Sequence, residues 1–245
     1  MRRLVLVRHA ESTNNDLYAR TGARVGRVPD PLLSPYGEKQ AELLAAALAD
    51  DHRLADAPLW VSPTARAVQT GAALARAGVG DPGPRGATLV LVPDLVEGGG
   101  IYRRVEDGRL RSDDRVAVAG RPLAELSELA VGVAVRWVDD EAAAWGGGLE
   151  DYDAIPARAA RLVERVRASD ARTIVAVAHE WLAQHLIRAA LGLPEGNAAC
   201  DRGWFGIPNA SVTEIVLKER TATLARLGDV HHLGELVARA PERWV

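Results

Sequence analysis

Every position of Thr173-Ile174-Val175-Ala176-Val177-Ala178 is apolar or β-branched, and Leu4-Val5-Leu6-Val7 is built the same way. Such short unbroken runs do not alternate apolar with polar residues, so both faces of the strand must be covered, as in a parallel sheet with helices on either side. Leu59-Trp60-Val61 and Thr88-Leu89-Val90-Leu91-Val92 repeat the pattern. The chain reads as strand 3–8, loop to 35, helix about 36–50, strand 59–62, helix about 64–77 and strand 88–92. A helix at about 153–168, strand 173–178 and a helix from 180 follow. This alternation predicts an α/β fold of three layers, a mostly parallel central sheet with helices on both faces.

With 245 residues, 48% of them hydrophobic, the chain can bury a large core, and nothing in it demands a second domain. One domain, 1–245, is expected. Aromatic residues make up only 4%, so Ala, Val and Leu must build that core. Ser34-Pro35 signals a helix start, and Leu43, Leu44, Ala47 and Leu48 give that helix a buried stripe. Gly78 to Gly86 reads as a connector. Residues 98–121 are rich in Gly, Arg and Asp and read as the start of an excursion or lid reaching to about 152. Within it Pro122 is expected to open a helix to about 145. Arg103, Arg104, Arg111 and Arg115 either meet a second anionic group or are simply solvated.

A net charge of −3 without a basic block argues against nucleic acid as a partner. No apolar run approaches the roughly 18 residues that span a bilayer, so no membrane partner is expected. Cys200 is the only cysteine, which rules out an intramolecular disulfide and fits a reducing, cytoplasmic setting. His231-His232 lacks companions at ligand spacing, so no metal is expected. A homodimer is compatible with the chain.

Ligands of open α/β sheets collect at the carboxyl ends of the strands. The first strand ends in Arg8-His9, the Thr173–Ala178 strand ends at His179, and Arg66 falls in the first turn after Leu59–Val61. Together they form an anion trap. Neutral imidazole can attack phosphorus, and guanidinium forks match phosphoryl oxygens. A leaving alkoxide needs a proton, and two carboxyls stand at the same edge: Glu97 on a Gly-flanked loop, and Glu180 just after His179.

These residues resemble those of the histidine phosphatase superfamily, on its phosphoglycerate mutase-like branch. The marks are Arg8-His9-x-Glu11-Ser12, Ser62-Pro63-x-x-Arg66-Ala67-x-Gln69-Thr70, and Ala178-His179 closing a strand. The segment Leu33-Ser34-x-x-Gly37-x-x-Gln40-Ala41 resembles the family's helix start, and residues 207–217 its late strand. Ala10 and Glu180 depart from it, each standing where the family usually has Gly. The resemblance implies a phosphoglycerate mutase-like fold and metal-independent hydrolysis of a small soluble phosphate ester, with no cofactor. His9 would become phosphohistidine, Arg8, Arg66 and His179 would hold the phosphoryl oxygens, and Asn15, Thr21 and Gly22 would line the phosphate site. Glu97 resembles the family's acid, while Glu180 stays open as its rival and as a substrate-binding group. Phosphoglycerate mutase-type transfer, and a phosphate-binding or repurposed member without turnover, are the alternatives.

Overall fold

In the computed structural model, which describes residues 1–22, 25–83, 86–104 and 115–239, the four apolar runs are strands of one sheet. Along the chain the described elements are β1 (Arg2–Arg8), α1 (Thr13–Thr21), α2 (Pro35–Ala49), β2 (Leu59–Val61), α3 (Ala65–Arg76), β3 (Thr88–Leu91), β4 (Tyr102–Arg104) and β5 (Arg115–Ala117). There follow α4 (Leu123–Leu129), β6 (Ala134–Trp137), α5 (Asp140–Ala143), α6 (Ile155–Ala168), β7 (Thr173–Ala178), α7 (Glu180–Leu191), α8 (Asn197–Arg202), β8 (Val212–Leu217) and β9 (Ala222–Asp229). Seven strands form the central sheet in the order β6-β3-β2-β7-β1-β8-β9. From β6 to β1 all neighbours are parallel, and β8 and β9 add an antiparallel edge. β4 and β5 pair only with each other.

The two-residue period of the strands divides the core in two. Val5, Val7, Val175 and Val177 face one layer with Leu44 of α2 and Leu74 of α3. Leu4, Leu6, Ile174 and Ala176 face the other, with Leu162 of α6 and Leu186 of α7. This is the three-layer fold that unbroken apolar strands require, and each fully buried Leu stabilises it by about 1.5–3 kcal/mol.

Three readings of the sequence need correction. Residues 13–21 are helical and not loop. Ser12 and Asn15 form a reciprocal capping box, and Gly22 closes the helix with φ +66°. The segment is too polar to show an apolar stripe. The helix expected at 122–145 ends at Leu129. Gly132 turns the chain with φ +77°, and Ala134–Trp137 continues as an edge strand parallel to β3, so this part of the expected excursion belongs to the central sheet. Finally, α8 and β9 were not anticipated, since β9 is a largely exposed edge strand without an apolar pattern.

Candidate active site

Adjacent strands bring distant residues together here. β7 lies between β1 and β2, with Arg8 opposite Ala178 and Val61 opposite Val177. His9, His179 and Ser62 therefore leave three neighbouring strands at the same edge. The two imidazole centroids are 5.0 Å apart at an interplanar angle of 61°.

Both rings are buried, and their tautomers follow from their partners. His9 Nδ1 donates to the Ala10 carbonyl at 2.7 Å, which leaves the Nε2 lone pair to accept from Arg66 Nε at 3.1 Å. His179 Nε2 donates to Ser62 Oγ at 2.8 Å, and its Nδ1 accepts from Arg66 Nη2 at 3.0 Å. One guanidinium thus faces both lone pairs. Burial pushes both imidazoles well below their ordinary 6.5, reinforced at His9 by Arg66 and Arg8 and at His179 by Arg66, His9, Arg8 and Arg158; the Ala10 hydrogen bond opposes this only weakly at His9. Both are neutral near pH 7.

Arg66 is held from behind. Asp30 pairs with its Nη1 at 3.6 Å, accepts the Ala65 N–H at 3.0 Å and binds Arg121 Nε at 2.8 Å. The Thr64 side chain makes no capping bond at the start of α3, so Asp30 does that work from another loop. Arg8 Nη1 donates to the Ile207 carbonyl at 2.6 Å and pairs with Glu180 at 2.8 Å, whereas its buried Nε has no hydrogen-bond partner among the described residues.

The loop after His9 is cradled by the residues of two sequence motifs. Gln40 Oε1 accepts the Glu11 N–H at 2.9 Å, and Ser34 donates to the Glu11 carboxylate at 2.7 Å. At Gly37 a Cβ would lie 1.9 Å from the Glu11 carbonyl oxygen, so only glycine admits this approach. Thr70 Oγ1 accepts the Ala10 N–H at 3.1 Å and Gln69 Oε1 the Leu33 N–H at 2.8 Å. Ala10 itself packs in the core without a positive φ, so the methyl in place of the family's usual glycine is accommodated.

Glu97 Oε1 accepts N–H groups of Gly98 at 2.8 Å and Leu182 at 3.2 Å, the latter at the N-terminus of α7. Glu180 is engaged otherwise: Arg8 binds one carboxylate oxygen, and Trp204 Nε1 donates to the other at 3.2 Å. Both line a cavity of about 480 Å³ with Arg8, His9, Asn15 and Arg66. Thr21 and Gly22 do not join them. They end α1 on the exposed surface, where Thr21 Oγ1 donates to the Leu17 carbonyl. Of the excursion arginines, Arg103 and Arg104 line the cavity beside Tyr102 and Arg27, Arg115 stacks on the Tyr152 ring at 4.4 Å, and Arg111 lies outside the described residues.

Sequence reasoning missed Ser62 as a partner of His179, Asp30 behind Arg66, and Asn209, whose Nδ2 donates to the His9 carbonyl at 3.0 Å. Ser62 stands inside a quoted motif and was within reach. Asp30 and Asn209 meet partners 35 or more residues away, and no local pattern signals them.

A model of the histidine phosphatase superfamily (branch 1) matches residues 4–97 and 102–230. Phosphoserine phosphatase 1 of Hydrogenobacter thermophilus is 28% identical over 242 residues, 98% of either chain. The fold is shared with an α-ribazole-5′-phosphate phosphatase, so described, from Escherichia coli, at TM-score 0.59 and 22% identity over 94% of this chain and 97% of that one. It is shared too with a mycobacterial glucosyl-3-phosphoglycerate phosphatase, at TM-score 0.57 and 23% identity over 92% and 98%.

Proposed function

The chain belongs to the histidine phosphatase superfamily (branch 1), and from that premise we propose that it is a phosphomonoesterase working through a phosphohistidine at His9. The observation that carries this reading is the Arg66 guanidinium at 3.1 Å from one imidazole lone pair and 3.0 Å from the other, on the cavity wall. An arriving phosphoryl group gives those N–H donors better acceptors and frees His9 Nε2 to attack. Arg8, Arg66 and Asn15 bind the non-bridging oxygens, where charge must be met during transfer. His179 takes up a proton as the dianion binds, and then donates to both Ser62 and a phosphoryl oxygen.

Attack forms the N–P bond as the bond from phosphorus to the ester oxygen breaks, and Glu97 delivers its proton to that oxygen. Water then attacks phosphorus, Glu97 takes the water's proton, and inorganic phosphate leaves with His9 neutral again. Glu180 serves by fixing Arg8. Glu97 is the acid because it faces the cavity and, among the described residues, forms no arginine ion pair, whereas Glu180 is tied to Arg8.

For the substrate we infer a small ester with a second anionic group, phosphoserine being the first to test. Its support is Arg27, Arg103 and Arg104 among the residues that line the cavity, together with the phosphoserine phosphatase relative. Assaying phosphoserine, glycerate phosphates, sugar phosphates and nucleotides tests the class, and acid-labile phosphate trapped on the wild type but not on His9→Ala tests the nucleophile. Label on another residue overturns the mechanism, and preference for uncharged alcohols overturns the substrate class.

A further inference from the structure

Glu97 sits on a segment that ought to be hard to hold still. Three glycines follow it, two of them with positive φ, +89° at Gly99 and +79° at Gly100. Yet a general acid misplaced by about 1 Å loses much of its effect. The backbone of this loop is gripped from the α6 layer by one buried side chain, Arg158, which is 5% exposed. Its Nη1 donates to the carbonyls of Asp94 and, at 2.9 Å, of Val96, the residue directly before Glu97. Its Nε and Nη2 form a two-pronged pair with Glu150, both contacts at 2.6 Å.

Glu150 closes the grip from the other side. Its own N–H donates to the Gly99 carbonyl at 3.1 Å, Gly100 bridges to Leu149, and the Ile101 N–H binds the Gly148 carbonyl at 2.8 Å. At Gly100 a Cβ would lie 2.0 Å from that Gly148 oxygen, so the approach of the two segments is as close as backbones permit. Glu97 is therefore bracketed: the carbonyl before it is bound by Arg158 and the carbonyl two residues after it by the backbone of Glu150. Its carboxylate rests on the N-terminus of α7, which packs against α6. Backbone and carboxylate are thus referred to the same pair of helices.

Neither Arg158 nor Glu150 lines the cavity. A buried ion pair is weak evidence for stability in itself, because desolvation of the charges offsets their attraction. We propose that Arg158, locked by Glu150, is a positioning residue for the general acid, setting where the Glu97 carboxylate meets the leaving oxygen. This rests on the reading of Glu97 as that acid.

The role separates from a merely structural one by leaving group. An alkyl ester such as phosphoserine needs the proton, whereas p-nitrophenyl phosphate leaves well without it. Arg158→Lys keeps the charge but loses the fork, and Glu150→Gln keeps the shape but loses the pair. Each is expected to lower kcat/KM about 10- to 100-fold on the alkyl ester and less than about threefold on the aryl ester. In a Glu97→Gln background Arg158→Lys should add less than about threefold to the alkyl loss, because the group it positions is already gone. Equal losses on both esters in the two variants, or losses that multiply fully with Glu97→Gln, overturn the inference. If Glu97→Gln itself loses equally on both esters while the wild type turns over each, the acid assignment falls first, and this proposal with it.

Discussion

Replacing Ser62 by alanine removes, among the described residues, the only atom within 3 Å that takes the His179 Nε2 proton. Ser62 is fully buried and His179 1% exposed, so water does not substitute. Thr64 Oγ1 stands at 3.5 Å and replaces the bond poorly. An imidazole N–H left buried without an acceptor costs about 1–3 kcal/mol. In a domain of this size that lowers Tm by roughly 2–12 °C, since each kcal/mol is worth about 2–4 °C. The ring's alternative is to change tautomer, which aims an Nδ1–H at the Arg66 Nη2 donor now 3.0 Å away and sets two donors against each other. Either route displaces the proposed phosphoryl clamp, and a loss of similar size in the transition state means kcat/KM falls about 10- to 100-fold. Scanning calorimetry and steady-state hydrolysis of p-nitrophenyl phosphate measure the two effects. A variant as stable and as active as wild type refutes the assigned tautomer. A fall in Tm alone reduces Ser62 to packing.

Three other outcomes are expected. Glu97→Gln should slow phosphoenzyme formation from an alkyl phosphate by about 100-fold or more while sparing its formation from an aryl phosphate, and single-turnover comparison of the two esters checks it. Because burial depresses both His9 and His179, the unfolded chain binds protons that the folded one refuses below about pH 6.5. Stability is then full above that pH and declines as pH drops through 6.5, by up to about 1.4 kcal/mol per unit for each ring. Urea midpoints that stay flat from pH 7.5 to 5.5 contradict the burial of neutral imidazoles. Gly37→Ala forces the start of α2 away from Glu11, and unfolding titrations should record a loss of about 1–3 kcal/mol, accompanied by weaker activity as the loop after His9 shifts; an unperturbed variant argues against the close approach.

Much of the architecture was legible because it follows from local chemistry. An unbroken apolar strand has no solvent face, so β1 and β7 could only be interior strands of a sheet covered twice, and the buried alternation of their side chains bears this out. What escaped reading had no periodic signal: α1 is largely polar, β6 is four residues on a half-exposed edge, and β9 faces mostly outward. Thr21 and Gly22 show the limit of transferring a motif, since a residue can keep its place in the sequence and still end a helix away from the cavity.

The amino-acid order by itself determined that Arg8, His9 and His179 stand at strand ends, Arg66 at a helix start and Glu97 on a glycine-bearing loop, because such endings are fixed by the residues beside them. Only the tertiary structure decided that these endings meet. The order β3-β2-β7-β1 joins strands up to about 170 residues apart, so pairing across the sheet, which no neighbouring residue encodes, sets His9 beside His179 and turns both lone pairs to one arginine. Asp30, Asn209 and Arg158 were invisible as partners for the same reason. A buried charge or donor takes whichever partner the packed layers bring within reach, and that is a property of the assembled core.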